Sequence, residues 1–225
     1  MLFLFGRQLS GYGRFGRLVN CVLLTGVIAT AAPAGAAPVS ILALGDSITA
    51  GLGLPPDESL PAKLEERLKA DGFDATIINA GVSGDTTAGG LARLDWVMAD
   101  HPPFVLVELG ANDALRGLDP SEARDNLDKI LARLAAEHVK VLLIGMMAPG
   151  NWGHAYAQKF DAIYPDLAAK YHVPLYPFIL DGVALDPKLN QGDGLHPNVA
   201  GVAVIVEKLA PAVEALLKSS AAGQG

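Results

Sequence analysis

The feature that most constrains the fold is an alternation repeated along the chain. Short runs of β-branched and leucine-rich residues are followed by longer segments whose apolar residues recur at helical spacing. The runs are Ser40–Leu44, Ala75–Asn79, Phe104–Leu109, Val139–Gly145 and Pro174–Phe178. Each is nearly all apolar, as a strand must be when both faces of its sheet are covered. Helices are expected at Leu60–Ala70, Thr87–Ala99, Ala155–Tyr171 and Ala200–Leu217. Another begins at Asp119-Pro120-Ser121-Glu122, a capping aspartate with proline in the first helical position, and carries Ala123, Leu127, Ile130, Leu131 and Leu134 on one face. The fold class read from this order is α/β, a three-layer α/β/α domain with a mainly parallel sheet of about five strands. Ligands of such sheets bind beyond the carboxyl ends of the strands, so the loops after each strand are where chemistry is sought.

Residues 1–37 differ from everything after them. Arg7, Arg14 and Arg17 stand without an acidic partner, an apolar run extends from Leu18 to Ala32, and Ala34-Gly35-Ala36-Ala37 follows. This is the pattern of a cleaved secretory signal, which makes residues 38–225 the working domain and its place periplasmic or secreted. The apolar run, broken by Asn20, Thr25 and Thr30, is short for a membrane span, so no stable membrane insertion is expected after cleavage. Cys21, the only cysteine, lies in the same segment, so a domain beginning at residue 38 has no disulfide, thiolate nucleophile or cysteine-bound metal. Without the three arginines, 14 basic residues face 24 acidic ones, a formal charge of −10 that disfavours nucleic acid as a partner.

Four strand-following segments carry candidate chemistry. Gly45-Asp46-Ser47-Ile48 places a serine at a strand-to-helix junction, and Gly81-Val82-Ser83-Gly84-Asp85-Thr86 is a glycine-rich turn whose Gly84 N–H can approach a substrate. Gly110-Ala111-Asn112-Asp113 offers the Asn112 amide to a developing negative charge. Taken singly, each is equally well an ordinary turn or helix cap. More specific is Gly192-Asp193-Gly194-Leu195-His196-Pro197, in which one irregular loop holds an imidazole and a carboxylate three residues apart. A serine hydroxyl needs a base that titrates near neutrality, and a carboxylate on the other ring nitrogen fixes the tautomer of that base. Among the other histidines only His154, in the loop after the fourth strand, competes for this task. No metal-ligand spacing is present, and neither metal nor cofactor is expected.

Together the four segments resemble the SGNH (GDSL) hydrolase family, in particular its bacterial periplasmic acyl-CoA thioesterase, lysophospholipase and arylesterase branch. The resemblance implies a flavodoxin-like sheet and a catalytic set of Ser47, Asp193 and His196. It implies an oxyanion hole made by the Ser47 and Gly84 N–H groups and the Asn112 amide. The expected reaction is hydrolysis of small-molecule esters or thioesters with an apolar acyl chain, by a monomer. Met146, Met147, Trp152 and Tyr156 are candidates for the acyl wall or, equally, for packing. A carbohydrate O-acetylesterase of the same family and a non-catalytic lipid-binding domain of the same fold are the alternatives.

Overall fold

The structure, a computed structural model, describes residues 38–221. The expected signal segment therefore lies outside the described residues. Strands β1 (Val39–Gly45), β2 (Ala75–Gly81), β3 (Phe104–Glu108), β4 (Lys140–Ile144) and β5 (Leu175–Tyr176) form one sheet in the order β2-β1-β3-β4-β5. Every pairing is parallel. This is the flavodoxin-like order, and the winding reverses between β1 and β3, which opens a crevice at their carboxyl ends. Register levels that rim: Gly45 lies opposite both Gly81 and Glu108, and Glu108 lies opposite Ile144.

Strand β3 is buried throughout, and β1 and β4 are buried except where they begin, in keeping with their sequence, whereas β2 at the edge alternates between buried and exposed positions. Two helical layers cover the sheet. Helix α2 (Leu60–Ala70) packs on α9 (Val199–Ala221), and α6 (Pro120–Ala136) packs on α3 (Thr87–Ala92) and α8 (Ile163–Tyr171). Helix α6 starts as its sequence dictates, with the Asp119 carboxylate accepting the Ser121 N–H at 2.9 Å, and buries Ala123, Leu127, Ile130, Leu131 and Leu134.

Two expected helices are each divided. The segment expected over 87–99 becomes α3 and α4 (Leu94–Val97), with Arg93 between them. The segment over 155–171 becomes α7 (His154–Asp161) and α8, where Pro165 in the first turn of α8 has no N–H to continue the hydrogen-bonding ladder of α7. Two short helices at the rim, α1 (Ser47–Ala50) and α5 (Ala111–Leu115), have no counterpart in the sequence periodicity.

Candidate active site

The site is built where β1 ends. Asp46 caps α1 by accepting the Ile48 N–H at 3.0 Å, which fixes Ser47 as the first helical residue. A side chain at Gly45 would collide with Thr49 and Glu108, so the strand can approach this corner only as glycine. The Ser47 Oγ lies 2.9 Å from His196 Nε2, and His196 Nδ1 lies 2.5 Å from Asp193 Oδ2. The second Asp193 oxygen accepts the N–H groups of Leu195 and His196 at 2.9 and 3.0 Å. Bonding to the His196 ring, with those two N–H groups, holds the Asp193 carboxyl down to about 2. Ionised at any neutral pH, it accepts a proton at Nδ1, which leaves Nε2 as the acceptor for the Ser47 hydroxyl.

The loop carrying Asp193 and His196 is tied back at its ends. Gln191 donates from its backbone to the His196 carbonyl, and from its side chain to Leu52 O, just beyond α1, and to Pro197 O. Gly194, at φ +71°, supplies the left-handed turn that folds the aspartate onto the histidine.

Gly84 lies in a turn closed by an Asp85 N–H to Val82 O bond, at φ +85°, and a side chain built there would meet nothing nearer than Arg116 Nη2 at 3.7 Å. Asn112 sits in α5 with Nδ2 donating to Asp85 O at 2.8 Å and, at 3.5 Å, towards Asp46 Oδ2. The structure thus gathers Ser47, Asn112, Asp193 and His196 around one corner, with Gly84 next to the residue that accepts from Asn112.

Ser47, Asn112 and His196 open on a cleft of about 410 Å³. Its other walls are largely apolar and include Ile48, Leu115, Met146, Met147, Phe178, Leu180, Leu185 and Leu195. Of the expected acyl-wall residues, Met146 and Met147 line the cleft. Trp152 and Tyr156 do not; they donate to the carbonyls of Ala114 and Leu118 and brace the wall from behind. His154 is exposed at the start of α7 and is not part of the cleft. Among the described residues no group of three or more His, Cys, Asp or Glu is arranged to hold a metal.

Behind the serine lies a buried carboxylate pair that sequence reasoning missed. Glu108 accepts from the Thr49 hydroxyl at 2.8 Å and, at 3.4 Å, from the Asp46 N–H. Burial, with the Asp46 charge adding to it, pushes the Glu108 carboxyl well above the usual range, and burial raises Asp46 to about 6. The only signal in the sequence is the placement of both acids at the ends of apolar strand runs.

A serine, histidine and carboxylate in hydrogen-bonded sequence, at the winding reversal of a parallel sheet and at the head of an apolar cleft, define a class: the α/β ester hydrolases. The sequence profile of the GDSL-like lipase/acylhydrolase family matches residues 43–204, and the chain belongs to that family. It is 41% identical over 183 residues to esterase TesA of Pseudomonas aeruginosa, covering 81% of this chain and 91% of the relative. To thioesterase 1/protease 1/lysophospholipase L1 of Escherichia coli it is 39% identical over 183 residues, 81% of this chain and 86% of that one. The crystal structure of AlinE4, an SGNH-hydrolase family esterase, superposes with a TM-score of 0.69 at 50% identity, covering 81% of this chain and 98% of that one. The protein is accordingly a serine hydrolase of the esterase type.

Proposed function

We propose that this hydrolase releases acyl groups with extended apolar chains from esters and thioesters through an acyl-enzyme on Ser47. The observation that carries the reading is the hydrogen-bonded chain Asp193–His196–Ser47 opening directly on the apolar cleft. His196 Nε2 takes the proton as Ser47 Oγ bonds to the acyl carbon, and Asp193 stabilises the imidazolium that forms. The oxyanion is received by the Ser47 and Gly84 N–H groups and by Asn112. Asn112 Nδ2 donates at 2.8 Å to Asp85 O, while its approach to Asp46 Oδ2 is a long 3.5 Å, so its second N–H is left for a stronger acceptor. Collapse breaks the bond to the alcohol or thiol, which leaves with the proton from His196, and a water molecule repeats the sequence to free the acid.

Met146, Met147 and Leu180 are assigned to the acyl chain, since pliable methionines suit chains of varied length. The volume and largely apolar lining of the cleft favour this over a sugar O-acetylesterase, whose small acyl group leaves such a wall unused. The charge pattern of residues 1–37 supports export to the periplasm with cleavage near Ala37, and the enzyme is taken to act as a monomer. The test is a rate series over p-nitrophenyl esters and acyl-CoAs of two to sixteen carbons. Specificity constants that rise with chain length support the reading, and an optimum at acetyl overturns it.

A further inference from the structure

One ion pair outside the cleft is bonded into the segments that carry all three proposed oxyanion donors. Arg93 and Asp85 are joined through Nε and Oδ2 at 2.6 Å, and both side chains are 16% exposed. The rest of the guanidinium is spent on two backbone carbonyls: Nη1 donates to Ala80 O at 2.7 Å and Nη2 to Gly45 O at 2.9 Å. Gly45 is two residues before Ser47, Ala80 is the penultimate residue of β2 ahead of the Gly84 turn, and Asp85 directly follows Gly84. The Asp85 carbonyl in turn accepts the Asn112 amide at 2.8 Å. Three segments remote from one another in sequence, each contributing one proposed oxyanion donor, are therefore linked: two through the guanidinium itself and the third through the backbone carbonyl of its Asp85 partner. Space is made for it as well, since a side chain at Gly89 would stand 2.4 Å from Asp85 Oδ1.

We infer that Arg93, held by Asp85, is a positioning residue that sets the spacing of the three oxyanion donors; this rests on the assignment of Ser47, Gly84 and Asn112 above. A guanidinium suits the task because its donors diverge in a fixed plane and can bind a carboxylate and two carbonyls at once. Lysine presents a point charge on a flexible stem and cannot hold all three. Backbone donors act on the transition state only when preorganised, so their misplacement lowers kcat rather than substrate affinity. The placement of Arg93 also accounts for the break between α3 and α4, where its residue closes one helix and opens the next.

The test uses the full chain with p-nitrophenyl butyrate, comparing Arg93→Lys, Arg93→Met, Asp85→Asn and Asn112→Ala. Losing a donor outright costs about 10² to 10³ in rate, so each Arg93 variant is expected to lower kcat by about 30- to 300-fold with KM within about twofold. The pH profile of kcat/KM should keep its shape, because Asp193 and His196 are untouched. Arg93→Met combined with Asn112→Ala should lose much less than the product of the single losses, because the two changes disable the same device. Circular dichroism melts establish the folded fraction at the assay temperature; if Arg93→Met does not fold, Arg93→Lys, which keeps the charge, carries the test. The inference is overturned by kcat within threefold of wild type in folded Arg93→Lys and Arg93→Met. A loss confined to KM, or strictly multiplicative losses in the double variant, also overturns it. Ser47→Ala separates the levels: if it is inactive while the Arg93 variants are fully active, only the positioning role fails, and if it is active, the assignment of the hole fails with it.

Discussion

Replacing Asp46 by asparagine tests the electrostatics beneath the nucleophile. Asp46 is fully buried, and burial raises its carboxyl from an ordinary 3.8 to about 6, against the opposing pull of the Ile48 N–H and His196. A carboxyl whose pKa is raised by folding stabilises the native state below the unfolded value, and that contribution disappears as pH rises through the folded one. The difference of about two pH units corresponds to about 3 kcal/mol lost between roughly pH 4 and pH 7. Asparagine cannot ionise, and it presents the donor and acceptor pattern of the protonated acid, so the two proteins should be of similar stability near pH 4. By pH 7 the variant should be the more stable by up to about 3 kcal/mol. Asp193, whose carboxyl is lowered, contributes with the opposite sign, but equally in both proteins, and drops out of the difference. Urea unfolding at half-unit steps from pH 4 to 7.5 measures it. A difference that stays flat within about 0.5 kcal/mol would refute the claim that burial governs this group. Activity should move the other way, since an amide now meets the Asn112 amide donor to donor.

Three further outcomes are expected. Ser47→Ala should lower kcat by about 10⁴ to 10⁶ while retaining a native melt, and intact-mass analysis should find a single fluorophosphonate adduct on the wild type and none on the variant; labelling elsewhere would displace Ser47. Asp193→Asn should cost about 10⁴ in kcat because it no longer selects the tautomer that accepts at Nε2, so a loss below tenfold would remove it from the relay. Tyr164→Phe deletes a hydroxyl bonded at 2.9 Å to the buried Leu109 carbonyl and should destabilise by about 1–3 kcal/mol in urea, with an unchanged midpoint counting against the bond.

The sheet was legible because β1, β3 and β4 are buried on both sides and therefore written as unbroken apolar runs. Edge positions were less so: β5 is paired over only Leu175–Tyr176, where Pro174–Phe178 reads as a longer strand. Helices α1 and α5 span four and five residues, too few to show a helical period, although they carry Ser47 and Asn112. Ser47, Asp193 and His196 could be singled out because their residue types suit one chemistry. Arg93 and Glu108 could not, since their roles depend on Gly45, Ala80, Asp85, Asp46 and Thr49, contacts set by sheet register rather than by spacing. For Trp152 and Tyr156 the sequence leaves acyl wall and packing equally open, and it is their polar tips, bonded to Ala114 O and Leu118 O, that decide for packing. Leu180, Leu185 and Leu195 reach the cleft through a return loop that has no periodic pattern.

Trp152, just before α7, and Tyr156, Phe160 and Tyr164, on α7 and α8, form a ladder of rings with centroids about 6 Å apart. Three of its rungs end on carbonyls of the segment from Leu109 to Leu118, which holds both Asn112 and the Leu115 wall. Wall and amide are therefore mechanically one piece. With Asn112 as the oxyanion donor proposed above, a substrate too broad for the cleft would displace wall and amide together. The arrangement then predicts a gear rather than a sieve: oversized acyl groups would be admitted but turned over slowly.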